Sequence, residues 1–129
     1  MAKTLYWIQG GSCGGDTWSL LNSDTPDLIE LFDFLGLELL WHHAFSSMPA
    51  DELTRLNQRI FDNEQPLDIL CVEGSAIHGP NDSGRFDMLP TGPKKDLIAA
   101  LAGKARYVLA VGTCASFGGI GADSEIMAS

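Results

Sequence analysis

Cys13 and Asp16 share one glycine-rich stretch, Gly10-Gly11-Ser12-Cys13-Gly14-Gly15-Asp16, and Cys114 stands in a second, Gly112-Thr113-Cys114-Ala115-Ser116-Phe117-Gly118-Gly119. The Cys-x-x-Asp spacing is that of a metal-binding pair, with a carboxylate where a second thiolate is usual. Thiolates favour iron–sulfur clusters, zinc or copper, and a carboxylate can stand beside them as a harder ligand. Glycines leave room for a bulky inorganic group and let backbone amides approach it and hydrogen-bond to its sulfides. Read on residue types alone, the same stretches also suit inert cysteines in glycine loops. The third cysteine, Cys71, lies inside an apolar run and is expected to pack as a small core hydrophobe.

Both stretches follow short apolar segments directly. Leu5-Tyr6-Trp7-Ile8 reads as a strand that breaks at the first glycine loop, and Asp16 opens a helix-like stretch through Leu21. Thr25-Pro26 reads as a helix start, for a helix over Asp27 to Leu35 closed by Gly36. Leu37 to Trp41 follows as a second strand, and Asp51 to Asp62 as a helix with Leu53, Leu56 and Ile60 at helical spacing. Leu67 to Val72 reads as a buried strand, residues 74–92 as a long Gly/Pro/Asn/Ser loop, Lys94 to Leu101 as a helix ended by Gly103, and Tyr107 to Val111 as a fourth buried strand. The tail from Gly121 to Ser129 offers neither a fifth strand nor a closing helix, so the architecture reads as interrupted. Strict alternation of strand and helix predicts a flavodoxin-like, doubly wound parallel sheet in three layers, spanning residues 1–129 as one domain. In such sheets ligands bind outside the carboxyl ends of the strands. That edge collects Cys13 and Asp16, then Glu73 and His78, then Cys114.

With 129 residues, 45% hydrophobic and 19% charged, the chain has the composition of a globular domain rather than a disordered segment. A formal charge of −9 argues against nucleic acid or an anionic membrane as partner. Three cysteines make no disulfide framework, and no run is long and apolar enough to cross a bilayer. Met1-Ala2-Lys3-Thr4 enters the first strand without a leader, which fits a cytoplasmic protein or one at the inner face of a membrane.

Three motifs in order resemble the small subunit of nickel–iron hydrogenases: Trp7-Ile8-Gln9-Gly10-Gly11-Ser12-Cys13-Gly14-Gly15-Asp16, then Cys71-Val72-Glu73-Gly74-Ser75, then Val111-Gly112-Thr113-Cys114-Ala115-Ser116-Phe117-Gly118-Gly119-Ile120. The resemblance implies an N-terminal, flavodoxin-like half that holds the proximal iron–sulfur cluster, with Cys13 and Cys114 as ligands. Gly14, Gly15, Glu73 and Thr113 would surround the cluster or face the partner. Asp16 falls where the family usually has cysteine. It is expected either to ligate iron through oxygen or to leave a corner vacant in a three-iron cluster, with helix capping as a third reading. Gly15 and Gly119 occupy positions where some oxygen-tolerant relatives carry extra cysteines. The family's fourth ligand and its medial and distal cluster domain lie beyond this stretch of sequence.

By the same resemblance the partner is the hydrogenase large subunit with its nickel–iron centre, within a higher-order hetero-oligomer. Electrons from hydrogen would pass through a four-iron or three-iron cluster toward a downstream acceptor, a quinone among the candidates. A hydrogen-sensing regulatory subunit and a flavodoxin-like binding module without a cluster are the alternatives. The related respiratory complex I subunit is disfavoured because Gly14, not a second cysteine, follows Cys13. Outside the motifs, His42 and His43 are expected at the surface or an interface. His78 is expected in an exposed loop, Trp7 and Trp18 in the core or shielding the cluster, and Lys94 and Lys95 simply solvated.

Overall fold

A computed structural model of the chain describes residues 2–124. Its elements run β1 (Lys3–Gln9), α1 (Gly15–Leu21), α2 (Leu28–Leu35), β2 (Leu37–His42), α3 (Ala50–Phe61), β3 (Ile69–Glu73), β4 (Met88–Leu89), β5 (Gly92–Pro93), α4 (Lys94–Lys104), β6 (Tyr107–Val111) and α5 (Gly112–Phe117). Four strands form a parallel sheet in the order β2-β1-β3-β6, and β4 pairs antiparallel with β5.

The register fixes which residues share a face. Leu5 pairs with Ile69, Tyr6 with Leu70, Trp7 with Cys71 and Ile8 with Val72. Because side chains alternate across a strand, Tyr6, Ile8, Leu70 and Val72 face one side. There they meet Leu56 and Ile60 of α3 and Ile98 and Leu101 of α4. Leu5, Trp7 and Cys71 face the other side, against Leu28 and Phe32 of α2 with Leu20 of α1 beside them. Helices therefore lie on both faces of a parallel sheet. This is the expected three-layer, doubly wound arrangement, and Cys71 is the core residue the sequence suggests, buried at 1% exposure. Burial alone pushes its thiol up to about 11.

Several boundaries differ from those read in the sequence. The helix expected to start at Thr25-Pro26 begins at Leu28. Asp27 caps it by accepting from the Glu30 amide at 2.8 Å while Glu30 returns a carboxylate to the Asp27 amide at 3.1 Å, and this reciprocal box outcompetes the proline signal. Gly103 does not end α4, which continues to Lys104 and closes through Ala105 N–H to the Leu101 carbonyl. The third strand is shifted to Ile69–Glu73 by its pairing with both neighbours. The long loop contains the small β4–β5 pair, and the stretch after the fourth strand is a helix. Residues 121–123 form a turn, and 125–129 of the tail lie outside the described residues.

The largest departure is β6. Its sequence, Tyr-Val-Leu-Ala-Val, reads as buried, yet Tyr107, Val108 and Leu109 are each more than half exposed. Pairing to β3 uses one edge only, and α2 and α4 cover other strands. An apolar parallel strand open on its outer edge calls for further cover.

The cap on α2 supplies a direct check. Replacing Asp27 with alanine should cost about 1 kcal/mol in chemical denaturation, whereas Asp27→Ser should stay within a few tenths. An unchanged midpoint for Asp27→Ala would show that the box does not hold the helix end.

Candidate functional site

The loops after β1 and β3 are stitched together by their backbones. Gly10 N–H donates to the Glu73 carbonyl at 2.8 Å, Gly11 N–H to the Ser75 carbonyl at 2.8 Å, and Ser75 N–H back to the Gly11 carbonyl at 3.2 Å. Gly74, at φ +83°, turns so close to Gly11 and Ser12 that a Cβ there would collide with both. Tight glycine turns thus set the Cys13 loop directly on the loop after β3.

Beneath this stitch lies Glu73, fully buried. Its Oε2 accepts from Thr17 Oγ1 at 2.5 Å, from Gln9 Nε2 at 2.9 Å and from Trp7 Nε1 at 3.0 Å. Its Oε1 accepts from the Thr17 amide at 3.0 Å. Gly14, the residue before α1, brings no side-chain cap. Glu73 supplies one from across the sheet by satisfying a first-turn amide that would otherwise lack a partner. Desolvation pushes the Glu73 carboxyl up, but its hydrogen bonds from Thr17, Gln9 and Trp7 outweigh that and hold it below the usual carboxylate range.

His42 closes the network. It is fully buried rather than at the surface as the sequence suggests, stacked between Phe45 at 3.8 Å and Trp7 at 4.9 Å between ring centroids. The Ala44 amide donates to Nδ1 at 3.0 Å, which leaves Nε2 as the protonated nitrogen facing Thr17 Oγ1 at 3.4 Å. Burial drives this imidazole down to about 4, with Glu73 opposing and His43 assisting. His43 is partly buried, held low first by burial and then by the nearby Lys94. Lys94 itself is buried and paired with Asp87 at 2.9 Å, a role that solvation does not describe. His78 is exposed, as expected, and meets Asp82.

Above the stitch, Cys13 and Cys114 line one cavity of about 640 Å³ together with Gly11, Ser12, Ser75, Ile77, Phe86 and Ile120. Both cysteines are free and exposed. A Cβ on Gly15 would come to 3.2 Å from Cys13 Sγ, so the glycine keeps the thiol uncrowded. Cys114 sits in the short helix α5, which the glycine-rich sequence does not reveal. Asp16 lies in the first turn of α1 without acting as its N-cap. Its carboxylate stands against Gly112, where any Cβ would collide with it, so it bridges the two cysteine-bearing loops from beside the cavity. Thr113 is exposed between Gly112 and Cys114. Among the described residues no three ligand-type side chains gather closely enough to grip a single small ion. Two thiols on one roomy, largely apolar cavity suit a larger group that spans the space between loops. Trp18 is 63% exposed and Phe117 84%, so of the two readings of Trp18, core or shield, the core one does not hold.

The acid behaviour of His42 follows from its burial. The unfolded imidazole takes a proton near 6.5 and the folded one near 4, so between these values the unfolded state binds more protons and stability falls as pH falls. His42→Gln lacks this liability. The stability of the natural chain relative to His42→Gln should therefore decline as pH drops from about 6.5 to about 4, measured by denaturant titration at several pH values. A constant difference would contradict the buried, neutral ring.

Comparison with known proteins agrees with this geometry. The chain is 35% identical over 133 residues to the F420 non-reducing hydrogenase II small subunit of Methanosarcina mazei, covering 95% of this chain and 34% of that protein. It is 29% identical over 121 residues to the quinone-reactive Ni/Fe-hydrogenase small chain of Wolinella succinogenes, covering 90% and 32%. The crystal structure of the reduced, active Ni-Fe-Se hydrogenase from Desulfomicrobium baculatum superimposes with a TM-score of 0.78 at 26% identity, over 100% of this chain and 49% of that one. The chain thus spans about a third of the length of these curated relatives. The resemblance to nickel–iron hydrogenase small subunits holds at the level of the named relatives. Residues 13–129 also match the family described as NADH ubiquinone oxidoreductase, 20 Kd subunit, and the chain belongs to that family.

Proposed function

We propose that this chain is the proximal-cluster domain of a hydrogenase small subunit, in which Cys13 and Cys114 ligate an iron–sulfur cluster. The observation that carries the reading is that these two thiols, far apart in sequence, line one cavity at the carboxyl end of the sheet. Asp16 supplies a further ligand, an oxygen, from α1. Its carboxylate already stands against Gly112, next to the Cys114 loop. When bound, the cluster supplies one-electron transfer. The residues around it do the rest: Ile77, Phe86 and Ile120 line an apolar wall, Gly15 leaves the Cys13 thiol uncrowded, and Gly14 and Thr113 would surround the cluster.

The exposed rim at Trp18, Phe86 and Phe117 fits burial against a large partner subunit carrying a nickel–iron centre. Hydrogen oxidised there would yield two protons and two electrons, the electrons leaving singly through this domain to an acceptor such as a quinone. The open, apolar β6 is covered in the assembled protein by a further segment of the small subunit, which brings the remaining cluster ligand and the further clusters. Among the described residues no helix is long and apolar enough to cross a membrane. A complex in the cytoplasm or held at the inner membrane face through another subunit is consistent with that.

Cys13→Ser and Cys114→Ser should each lower the iron and sulfide content of the assembled complex and abolish its proximal electron paramagnetic resonance signal. Cys71→Ser should leave both unchanged. Asp16→Cys should keep the cluster but alter its spectrum toward an all-thiolate form. Full iron content in both serine variants at the first two positions would contradict the reading.

A further inference from the structure

Glu73 is a buried carboxylate whose four partners are all donors: the Trp7 indole, the Gln9 amide, and the Thr17 hydroxyl and backbone amide. A protonated carboxyl would need an acceptor for its own hydrogen, and this ring of groups offers none in that direction. The Thr17 hydroxyl oxygen has two lone pairs, and Gln9 Nε2 and His42 Nε2 both face it at 3.4 Å, so neither is left for a hydrogen from Glu73. The Ala44 amide occupies Nδ1, so Nε2–H faces Thr17 Oγ1 and the hydroxyl hydrogen is left to point at Glu73. The donors therefore specify the ionised form by geometry. None of these partners carries a positive charge, so the negative charge is solvated but not cancelled.

This charge is tied to the Cys13 loop, because it holds Thr17 in the first turn of α1, four residues after Cys13. Gly74, the next residue, packs on Gly11 and Ser12, and Ser75 lines the cavity with Cys13. Thr17, which Glu73 holds twice, follows Asp16, and Gln9 reaches to within 3.7 Å of the Cβ position of Gly14. A fixed negative charge beside a redox centre stabilises its more positive, oxidised state, and burial weakens the screening. We infer that Glu73 is a built-in electrostatic control that lowers the reduction potential of the group held by Cys13 and Cys114, with Trp7, Gln9, Thr17 and His42 as positioning residues that keep it ionised. This rests on the cluster-holding function proposed above.

The test is a redox titration, followed by electron paramagnetic resonance, of the assembled complex as purified, with iron content measured alongside. Glu73→Gln is close to isosteric and removes the charge. It should shift the potential upward with iron content and signal type unchanged. Trp7→Phe keeps the charge but removes one N–H dipole directed at it, and should shift the potential downward. This opposite sign separates charge from simple loosening of the loop, which would move both variants alike. A fully loaded Glu73→Gln complex with an unmoved or lowered potential overturns the inference. Where Glu73→Gln does not assemble, Trp7→Phe decides, and an unmoved or raised potential overturns it. Absence of iron from the unmodified complex overturns the proposed function and this inference with it, whereas iron present with unmoved potentials overturns the inference alone.

Discussion

A buried carboxylate is costly unless it is well hydrogen-bonded, and Glu73 keeps its four donors only while β1, β3 and α1 hold their relative positions. Trp7 and Gln9 reach it from β1, and Thr17 reaches it twice from the first turn of α1. Sliding any one of the three elements leaves a buried charge short of donors. The placement of the first cysteine loop is therefore not left to the glycines that make it pliable. It is clamped from below by the Glu73 hydrogen bonds and from the side by the Gly11–Ser75 backbone bridge. Pliable loops on a clamped base are a sensible support for a group that must be approached closely by backbone on several sides.

The two faces of the sheet are unequal. Ten buried residues form the core under α3 and α4, against five under α1 and α2. The thinner side therefore depends more on polar order, and the Glu73 network sits there, beside the stacked Trp7, His42 and Phe45 rings. β6 is uncovered on both faces, with Tyr107 and Leu109 open on the thin side and Val108 on the other. The last strand is the part of the sheet with the least cover.

Much of this was legible in the residues. Apolar runs broken by glycine gave the parallel strands in order, and the side-chain alternation of Leu5-Tyr6-Trp7-Ile8 needed only the register to sort it between two faces. The cysteine loops fall at the carboxyl edge because that is where such loops must fall. What the sequence hid was long-range and polar. Nothing local distinguishes a histidine at a strand end that stacks on Trp7 from one that meets solvent, so the burial of His42 is not legible in the sequence. Lys94 at a helix start looks like a solvated cation until Asp87, far enough away to be set by the β4–β5 turn, closes on it. An all-apolar β6 reads as buried because composition reports what a strand needs, not whether its cover is at hand. Around Cys114 the glycines on both sides mask a six-residue helix.

The chemistry suggested by the site is narrow: two free thiols on one apolar-walled cavity, a carboxylate beside them, and a buried carboxylate bonded to the helix that follows the first thiol. Soft ligands with room between them suit an iron–sulfur group better than a single hard ion. Anomalous diffraction at the iron edge from crystals of the assembled complex tests this most directly. The account predicts iron density filling the cavity, within bonding distance of both Cys13 Sγ and Cys114 Sγ. Both thiols free, with iron found only elsewhere in the complex, would contradict it.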